Sequence, residues 1–197
     1  MITAHAGTDR VWHRARAWLV ALAALCLCAP ASVGVAQSNV AAASERSVKA
    51  AFLYKFAEYV DWSSTPVRPS EEPFTIGVLG AGALAVDLLR MTADRTLDNR
   101  PISVRRVSAN DGIDDLQVLF IAGEQRGRLE DVLSSARGRP ILTVTEAEGA
   151  LTNGSIINFT MMGDRVRFEV SLDAAQSSRL RLSSRLLAVA ANVIQTP

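Results

Sequence analysis

Histidine and cysteine are almost missing from this chain of 197 residues, which has two of each. All four lie near the start, at His5, His13, Cys26 and Cys28. Beyond them, a serine or cysteine nucleophile has no histidine to act as its base, and zinc or copper lacks its preferred ligands. Disulfide bonds are excluded there as well. The sequence therefore predicts no catalytic residue, no metal site and no cofactor, and it favours a binding protein over an enzyme.

Long apolar runs are also scarce, and the only marked one lies near the start. Ala17 to Leu27 follows three arginines and is shorter than the roughly 20 residues that span a bilayer. Small residues suited to cleavage end at Ala31 or Ala36. This is the pattern of a secretory signal peptide. We therefore expect residues 1–36 to be a leader and residues 37–197 to be one exported domain.

Neither sign of charge dominates the remaining chain. The whole sequence has 21 basic and 20 acidic residues, and the predicted leader contains three arginines and one aspartate. Its removal leaves one more acidic than basic residue. A nearly neutral domain of this kind argues against binding to nucleic acid or to an anionic membrane surface.

The order of the predicted elements indicates an α/β fold. Strands alternate with helices, which is typical of a mostly parallel sheet with helices on both faces. Two alternating segments around Gly163-Asp164 predict an antiparallel hairpin near the C-terminus. We expect a single three-layer domain. The predicted elements are a helix over 48–62, strands over 74–80, 102–107, 118–122 and 141–144, helices over 84–91 and 129–133, hairpin strands over 155–161 and 165–172, and a closing helix that buries Leu182, Leu186, Val189 and Val193.

The opening helix is the most aromatic stretch, and it holds both tyrosines of the chain. Helical spacing predicts that Tyr54 and Glu58 project away from its apolar face, either as a solvated surface or as a partner-binding surface. Ser44 is a suitable N-cap for this helix, and Lys49 lies within the apolar arc, where we expect its side chain to snorkel. The predicted core face consists of Val48, Phe52, Phe56, Tyr59 and Val60, with Leu53 at its edge.

Two further rows of charged residues are candidates for partner binding. Arg165, Arg167 and Glu169 share the outer face of the second hairpin strand, as a row of cross-strand ion pairs or as a contact surface. Arg181 and Arg185 lie four residues apart in the predicted closing helix, where like charges repel unless solvent or a partner compensates them.

One motif suggests a cofactor site. Gly80-Ala81-Gly82-Ala83-Leu84-Ala85 fits the G-x-G-x-x-A pattern of dinucleotide-binding turns, after a strand and before a helix. The acidic residue expected at the end of the next strand is missing, because Val107 and Ser108 stand there. Tight packing of strand against helix is the preferred interpretation. The acidic cluster of Asp111, Asp114 and Asp115 lacks the spacing of a calcium loop and reads as a solvated turn.

The segments Val48–Phe56 with Val60-Asp61-Trp62, and Leu180–Leu187, resemble the YfiR-like family of periplasmic regulatory proteins. Four strand segments fall between them in the family's order. They are Phe74–Gly80, Val118–Ile121, Ile141–Val144 and Val166–Val170.

The resemblance implies a signalling module without enzymatic activity. A YfiR-like protein would bind the periplasmic part of a membrane-bound diguanylate cyclase, or of a similar receptor, and repress it. It would tend to form a homodimer, and an outer-membrane lipoprotein could sequester it. The disulfide that the resemblance also implies has no counterpart after residue 36. Two alternatives stay open, a small-ligand sensor with a pocket near Trp62, Gly80 and Gly82, and an enzyme that depends on carboxylates.

Overall fold

The computed structural model describes residues 33–62, 69 and 71–195, with side chains from residue 39 onward. The chain divides into two compact units, residues 1–40 and 41–197. Only the start of the first helix is described in the first unit, so most of the predicted leader lies outside the described residues. Among the described residues, no helix is both long enough and apolar enough to cross a membrane.

The core of the fold is an eight-stranded mixed sheet. The strands lie in the order β10-β8-β7-β6-β5-β2-β4-β3, and the five central strands from β7 to β4 are parallel. The strands are β1 (Val60–Asp61), β2 (Phe74–Leu79), β3 (Thr96–Leu97), β4 (Arg100–Val107), β5 (Val118–Ile121), β6 (Leu142–Thr145), β7 (Ile157–Met162), β8 (Arg165–Ser171), β9 (Arg181–Leu182) and β10 (Asn192–Ile194).

Helices cover both faces of this sheet, as the sequence predicted. On one face, α1 and α2 bury aromatic and aliphatic side chains of the strands, including Phe74, Phe120 and Phe168. On the other face, α3 packs Leu129, Val132 and Leu133 over a second apolar cluster. The helices are α1 (Val33–Glu58), α2 (Gly82–Thr92), a 3-10 helix (Gly123–Arg128), α3 (Leu129–Ala136), α4 (Leu172–Ser177) and α5 (Ser184–Val189).

The β7–β8 hairpin forms where the alternating pattern predicted it. Phe159 lies opposite Phe168, and Gly163 adopts a left-handed φ of 59° in the turn. The sequence analysis missed a second hairpin, β3–β4, whose turn is Asp98-Asn99. Both turn residues have positive φ, the conformation of the two-residue turns that join twisted antiparallel strands.

The opening helix differs from its prediction in start and in orientation. It begins at Val33 and runs through Ser44, which is therefore not its N-cap. Leu53 is fully buried rather than at the edge, while Val48, predicted in the core, is 40% exposed. Phe52 is only half-buried. The buried arc is therefore rotated from the predicted one, and it includes Ala50 and Ala57 beside Leu53.

The prediction of a single closing helix is wrong. The chain instead forms the short strand β9, the short helix α5 and the edge strand β10. Leu186 is buried, but Val189 and Val193 are 56% and 39% exposed. The helical spacing of the apolar residues was the misleading signal. Hydrogen bonds between the backbones of β10 and β8 hold this segment, and no apolar helix face is buried at the described residues 192–194.

Candidate interaction surface

The open edge of the sheet carries the most distinctive described surface. In β8, Val166, Phe168 and Val170 are buried, whereas Arg165 and Arg167 are exposed, as alternation predicted. The last strand, β10, pairs with β8 in parallel, from Asn192 opposite Glu169 to Ile194 opposite Ser171. Only the second half of β8 is therefore covered, and no described strand pairs with the outer side of β10.

A cleft of about 330 Å³ lies at the uncovered part of β8. Among the described residues, the cleft is lined by Met162, Arg165, Arg167, Ala190 and Ala191. Met162 is 61% exposed, which is unusual for a large apolar side chain. Arginine and methionine are both enriched in protein interfaces. The combination of exposed apolar and basic side chains makes this cleft a candidate for partner binding.

The two arginines of the edge are not neutralised within the described chain. None of the ion pairs among the described residues involves Arg165 or Arg167. Glu169, predicted in the same row, is half-buried beside Asn192. The interpretation of this row as cross-strand ion pairs is therefore wrong for the two arginines. Its interpretation as a contact surface for a partner remains a prediction.

The Tyr54 side chain is not exposed, contrary to the sequence prediction. It is 7% exposed, and the Arg95 guanidinium lies 4.9 Å from the centre of its ring. Glu58 is exposed as predicted, and its carboxylate accepts a hydrogen bond from Lys55 at 2.6 Å. Burial alone would raise the pKa of Glu58, but the hydrogen bonds from Lys55 and Tyr54 lower it. Helical spacing misplaced Tyr54 because its side chain packs into the main core cluster and Arg95, a residue outside the helix, lies over its ring.

Arg181 and Arg185 are both exposed but do not share a helix. Arg181 lies in β9, within 4.0 Å of the Asp61 carboxylate, and Arg185 lies in α5. The strands β1 and β9 pair antiparallel, with Val60 opposite Leu182 and Asp61 opposite Arg181. The two segments that carried the family resemblance therefore meet in space, and the predicted repulsion between the two arginines is replaced by a contact with Asp61.

A network of ion pairs ties α1 to the carboxyl edge of the sheet. The Lys49 ammonium donates to Glu45 and, at 2.5 Å, to Glu146, which follows β6. The other oxygen of Glu146 accepts from the backbone N–H of Gly123 at 3.1 Å. Lys49 thus does not snorkel into solvent. Sequence spacing could not have found this network, because Lys49 and Glu146 are 97 residues apart in the chain.

Trp62 lines a cavity, but the two glycines of the alternative site do not share it. The Trp62 ring lies edge-on against Phe74, 5.3 Å away, beside a cavity of about 270 Å³ that Arg100 and Arg139 also line. Phe74 begins β2, whereas Gly80 and Gly82 follow its far end, roughly 20 Å away along the strand. The prediction of one pocket near all three residues is wrong.

The glycine-rich turn lies where α/β folds often bind ligands. The chain adds β4 on one side of β2 and then β5 on the other side, so the order of strands reverses at β2. Gly80 directly follows β2 and has a φ of 82°. A cleft of about 200 Å³ lies beside the turn, next to Arg46 and Lys49. Both side chains already bind carboxylates, Arg46 that of Asp87. Tight packing of strand against helix stays the prediction for this turn.

The acidic cluster is a turn held by hydrogen bonds and ion pairs. The Asp111 carboxylate accepts from the backbone N–H of Ser108, Asp114 binds Arg139, and Asp115 binds Arg105. Among the described residues, no three side chains are arranged to hold a metal ion.

Sequence reasoning missed part of the edge surface. Met162 follows the predicted strand over 155–161 and had no predicted role, Val193 was assigned to the apolar face of the closing helix, and Ile194 had no assignment. One signal in the sequence could have indicated the edge strand. No residue after Arg185 is charged, and such a segment suits a short edge strand as well as a helix.

Comparisons with known proteins give one family. A family model described as YfiR/HmsC-like matches residues 46–191. No curated protein matches the chain. Among solved structures, the chain is similar to a conserved domain protein from Vibrio cholerae O1 biovar El Tor strain N16961, with a TM-score of 0.45 and 12% identity. That match covers 61% of this chain and about half, 54%, of the other protein.

Proposed function

The chain belongs to the YfiR/HmsC-like family, and on that basis we propose that it is a periplasmic regulatory adaptor. It binds the periplasmic part of an inner-membrane diguanylate cyclase, represses it and so lowers the cellular level of cyclic-di-GMP. It performs no catalysis itself. The signal-like residues 1–36 support export to the periplasm.

The observation that carries this proposal is the open edge of the sheet, together with family membership. An adaptor needs a surface that is stable without its partner and still able to bind it. Arg165, Arg167 and Met162 provide exposed basic and apolar groups on the β7–β8 hairpin, whose opposite face is anchored in the core. Glu58, Arg181 and Arg185 are exposed on other elements and stay secondary candidates for contact.

We expect Arg165→Glu combined with Arg167→Glu to weaken binding to the periplasmic part of the cyclase by about tenfold or more, because like charge replaces attraction at the interface. Binding is measured by biolayer interferometry with purified proteins. The matched control is Arg126→Glu with Arg128→Glu, which makes the same change in charge on the exposed 3-10 helix.

The test in cells is the level of cyclic-di-GMP. A strain that lacks the protein should show a raised level and more biofilm, the wild-type gene should restore both, and the Arg165/Arg167 variant should not. An unchanged cyclic-di-GMP level in the deletion strain would contradict the repressor role. Equal loss of binding in both double variants would contradict the assignment of the edge surface.

A small-ligand sensor is the second candidate, and the cavity beside Trp62 favours it. Its volume of about 270 Å³ approaches the lower end of the range for small-molecule sites, and it combines the Trp62 and Phe74 rings with two arginines and two aspartates, Arg100, Arg139, Asp98 and Asp114. Because Asp114 binds Arg139, such a site suits a small zwitterionic molecule with an apolar part. The alternative with Gly80 and Gly82 in the same pocket is set aside on geometry.

Trp62 reports directly on this second candidate. A bound ligand should shift its emission with a saturable dependence on concentration, because the ring lines the cavity wall and is half-buried. Titration uses a panel of small periplasmic carboxylates, with Arg139→Gln as a variant that removes one cationic group. No emission change across the panel, together with intact binding of the cyclase, would favour the adaptor alone.

A further inference from the structure

We propose that β10 is a docking strand: an extended segment of the partner protein adds to the sheet along β10 and places acidic side chains against Arg165 and Arg167. This inference rests on the proposed function and names how the partner is recognised. Its occupant is a segment with apolar residues followed, about four residues away, by acidic ones.

The backbone of β10 provides the first argument. A strand at the edge of a sheet directs half of its N–H and C=O groups away from its neighbour, where they are free to pair with another strand. No described strand occupies that side of β10. Adding a strand would satisfy these groups without changing the core, which is the established physical basis of recognition by strand addition.

The side chains of β10 provide the second argument. Asn192, Val193 and Ile194 are all exposed, and none carries a charge. Edge strands usually avoid such pairing with lysine, proline, a bulge or a cover. Here Val193 and Ile194 are 39% and 42% exposed, and Val189 of the preceding helix is 56% exposed. The one protection of β10 is its length of only three residues, and an uncharged edge of this kind leaves room for an added strand.

The charges fix the chemistry of the occupant. Arg165 precedes Glu169 by four residues, and Glu169 lies opposite Asn192 where β10 begins. At about 3.3 Å per residue, Arg165 is therefore about 13 Å from the level of Asn192 along the sheet edge. Arg167 lies between them, and the cleft beside both arginines is open. A partner strand that continues past β10 reaches this cleft, where carboxylates would pair with the two guanidinium groups.

A second copy of this chain fits the charges less well. Two copies of β10 would pair antiparallel about a two-fold axis. The residues of the second copy that continue toward Arg165 and Arg167 would then be those after Ile194. The described residue there, Gln195, carries no charge, whereas the two arginines are complementary to acidic groups. The charges therefore favour a different protein with an acidic segment.

The test uses Val193→Lys, which places a charge on the edge strand at a position that tolerates exposure. Val86→Lys is the matched control, because Val86 is 40% exposed on α2, an element away from the edge. The probe is the purified periplasmic part of the membrane diguanylate cyclase that the proposed function names as partner. Binding is measured by interferometry, and hydrogen exchange of residues 192–194 is followed by mass spectrometry with and without the probe.

Strand addition predicts that Val193→Lys weakens binding about tenfold or more, that Val86→Lys does not, and that exchange at residues 192–194 slows when the probe binds. If the Arg165/Arg167 double variant loses binding while Val193→Lys binds normally and exchange is unchanged, strand addition is overturned and the adaptor function stands. If Val193→Lys only converts a dimer into a monomer in light scattering, a second copy covers β10. If the wild type does not bind the probe, both proposals fail.

Discussion

Replacing Phe56 by alanine is expected to lower the free energy of unfolding by about 3–5 kcal/mol. Phe56 is 2% exposed, and its ring lies 4.8 Å from that of Phe168 in an edge-on arrangement and 5.7 Å from that of Phe159. Truncation leaves a cavity between α1 and the β7–β8 hairpin. Rigid sheet residues line this cavity, so it collapses poorly. Urea unfolding followed by circular dichroism measures the effect.

Phe52→Ala is the comparison that tests the reason. Phe52 touches the same rings, at 5.6 Å from Phe56 and 5.5 Å from Phe168, but it is half-buried. Its truncation removes less buried area and admits water, so the cost should be clearly smaller than for Phe56. An equal loss of unfolding free energy in the two variants would mean that contacts on the solvent-facing side of α1, and not burial against the hairpin, hold this helix in place.

Replacing Lys49 by methionine is expected to lower the free energy of unfolding by about 1–3 kcal/mol, because it leaves two carboxylates without their shared cation. The side chains of Lys49 and Glu146 are 13% and 23% exposed, so solvent screens the pair only in part. Glu146→Gln tests the same pair from the other side and keeps an acceptor for the N–H of Gly123. A double-mutant cycle of the two gives their coupling energy.

The exposed pair of Lys55 and Glu58 is the matched control for this network. The Lys55 side chain is 52% exposed, so Lys55→Met should change stability measurably less than Lys49→Met. A coupling energy near zero between Lys49 and Glu146 would show that this ion pair does not help to hold α1 against the sheet.

The pH dependence of the Lys49 network has a definite sign. Burial by itself lowers the pKa of Lys49, but hydrogen bonds and charges from Glu146 and Glu45 outweigh it, and the pKa is raised above its ordinary 10.5. The folded protein therefore holds this proton more tightly than the unfolded chain. The stabilisation is fully present below the ordinary pKa of 10.5 and is lost as the pH rises through the raised pKa. The difference in stability between wild type and Lys49→Met should narrow in that range.

The outline of the fold could be predicted from local patterns. The apolar run of Val118–Ile121 indicated a strand buried on both faces, and the alternation of Arg165–Ser171 indicated a strand with one buried face. Both were confirmed, because burial on one or two faces acts directly on the side-chain pattern of a strand. The C-terminal segment was misread, since a few apolar residues at helical spacing also fit a short helix followed by an edge strand.

The candidate site could be predicted only in part. Arg165 and Arg167 were found as an exposed pair, because alternation alone assigns their face. Tyr54 was misassigned, since its cover comes from Arg95, and the role of Met162 depends on the uncovered edge beside it. Contacts between distant segments decide such exposure, and a sequence pattern carries no record of them.

By itself, the sequence determined the α/β class, the hairpin, the aromatic character of α1 and the segments that resemble the family. These follow from periodicity and from residue types, which act over a few neighbouring residues. Only the tertiary structure decided that Lys49 binds Glu146, that β1 pairs with β9, that Trp62 and Gly80 lie at opposite ends of β2, and that β10 forms an open edge beside Arg165 and Arg167. The physical reason is that strand order and helix placement are set by burial of the whole apolar surface, which brings together residues that are far apart in the chain.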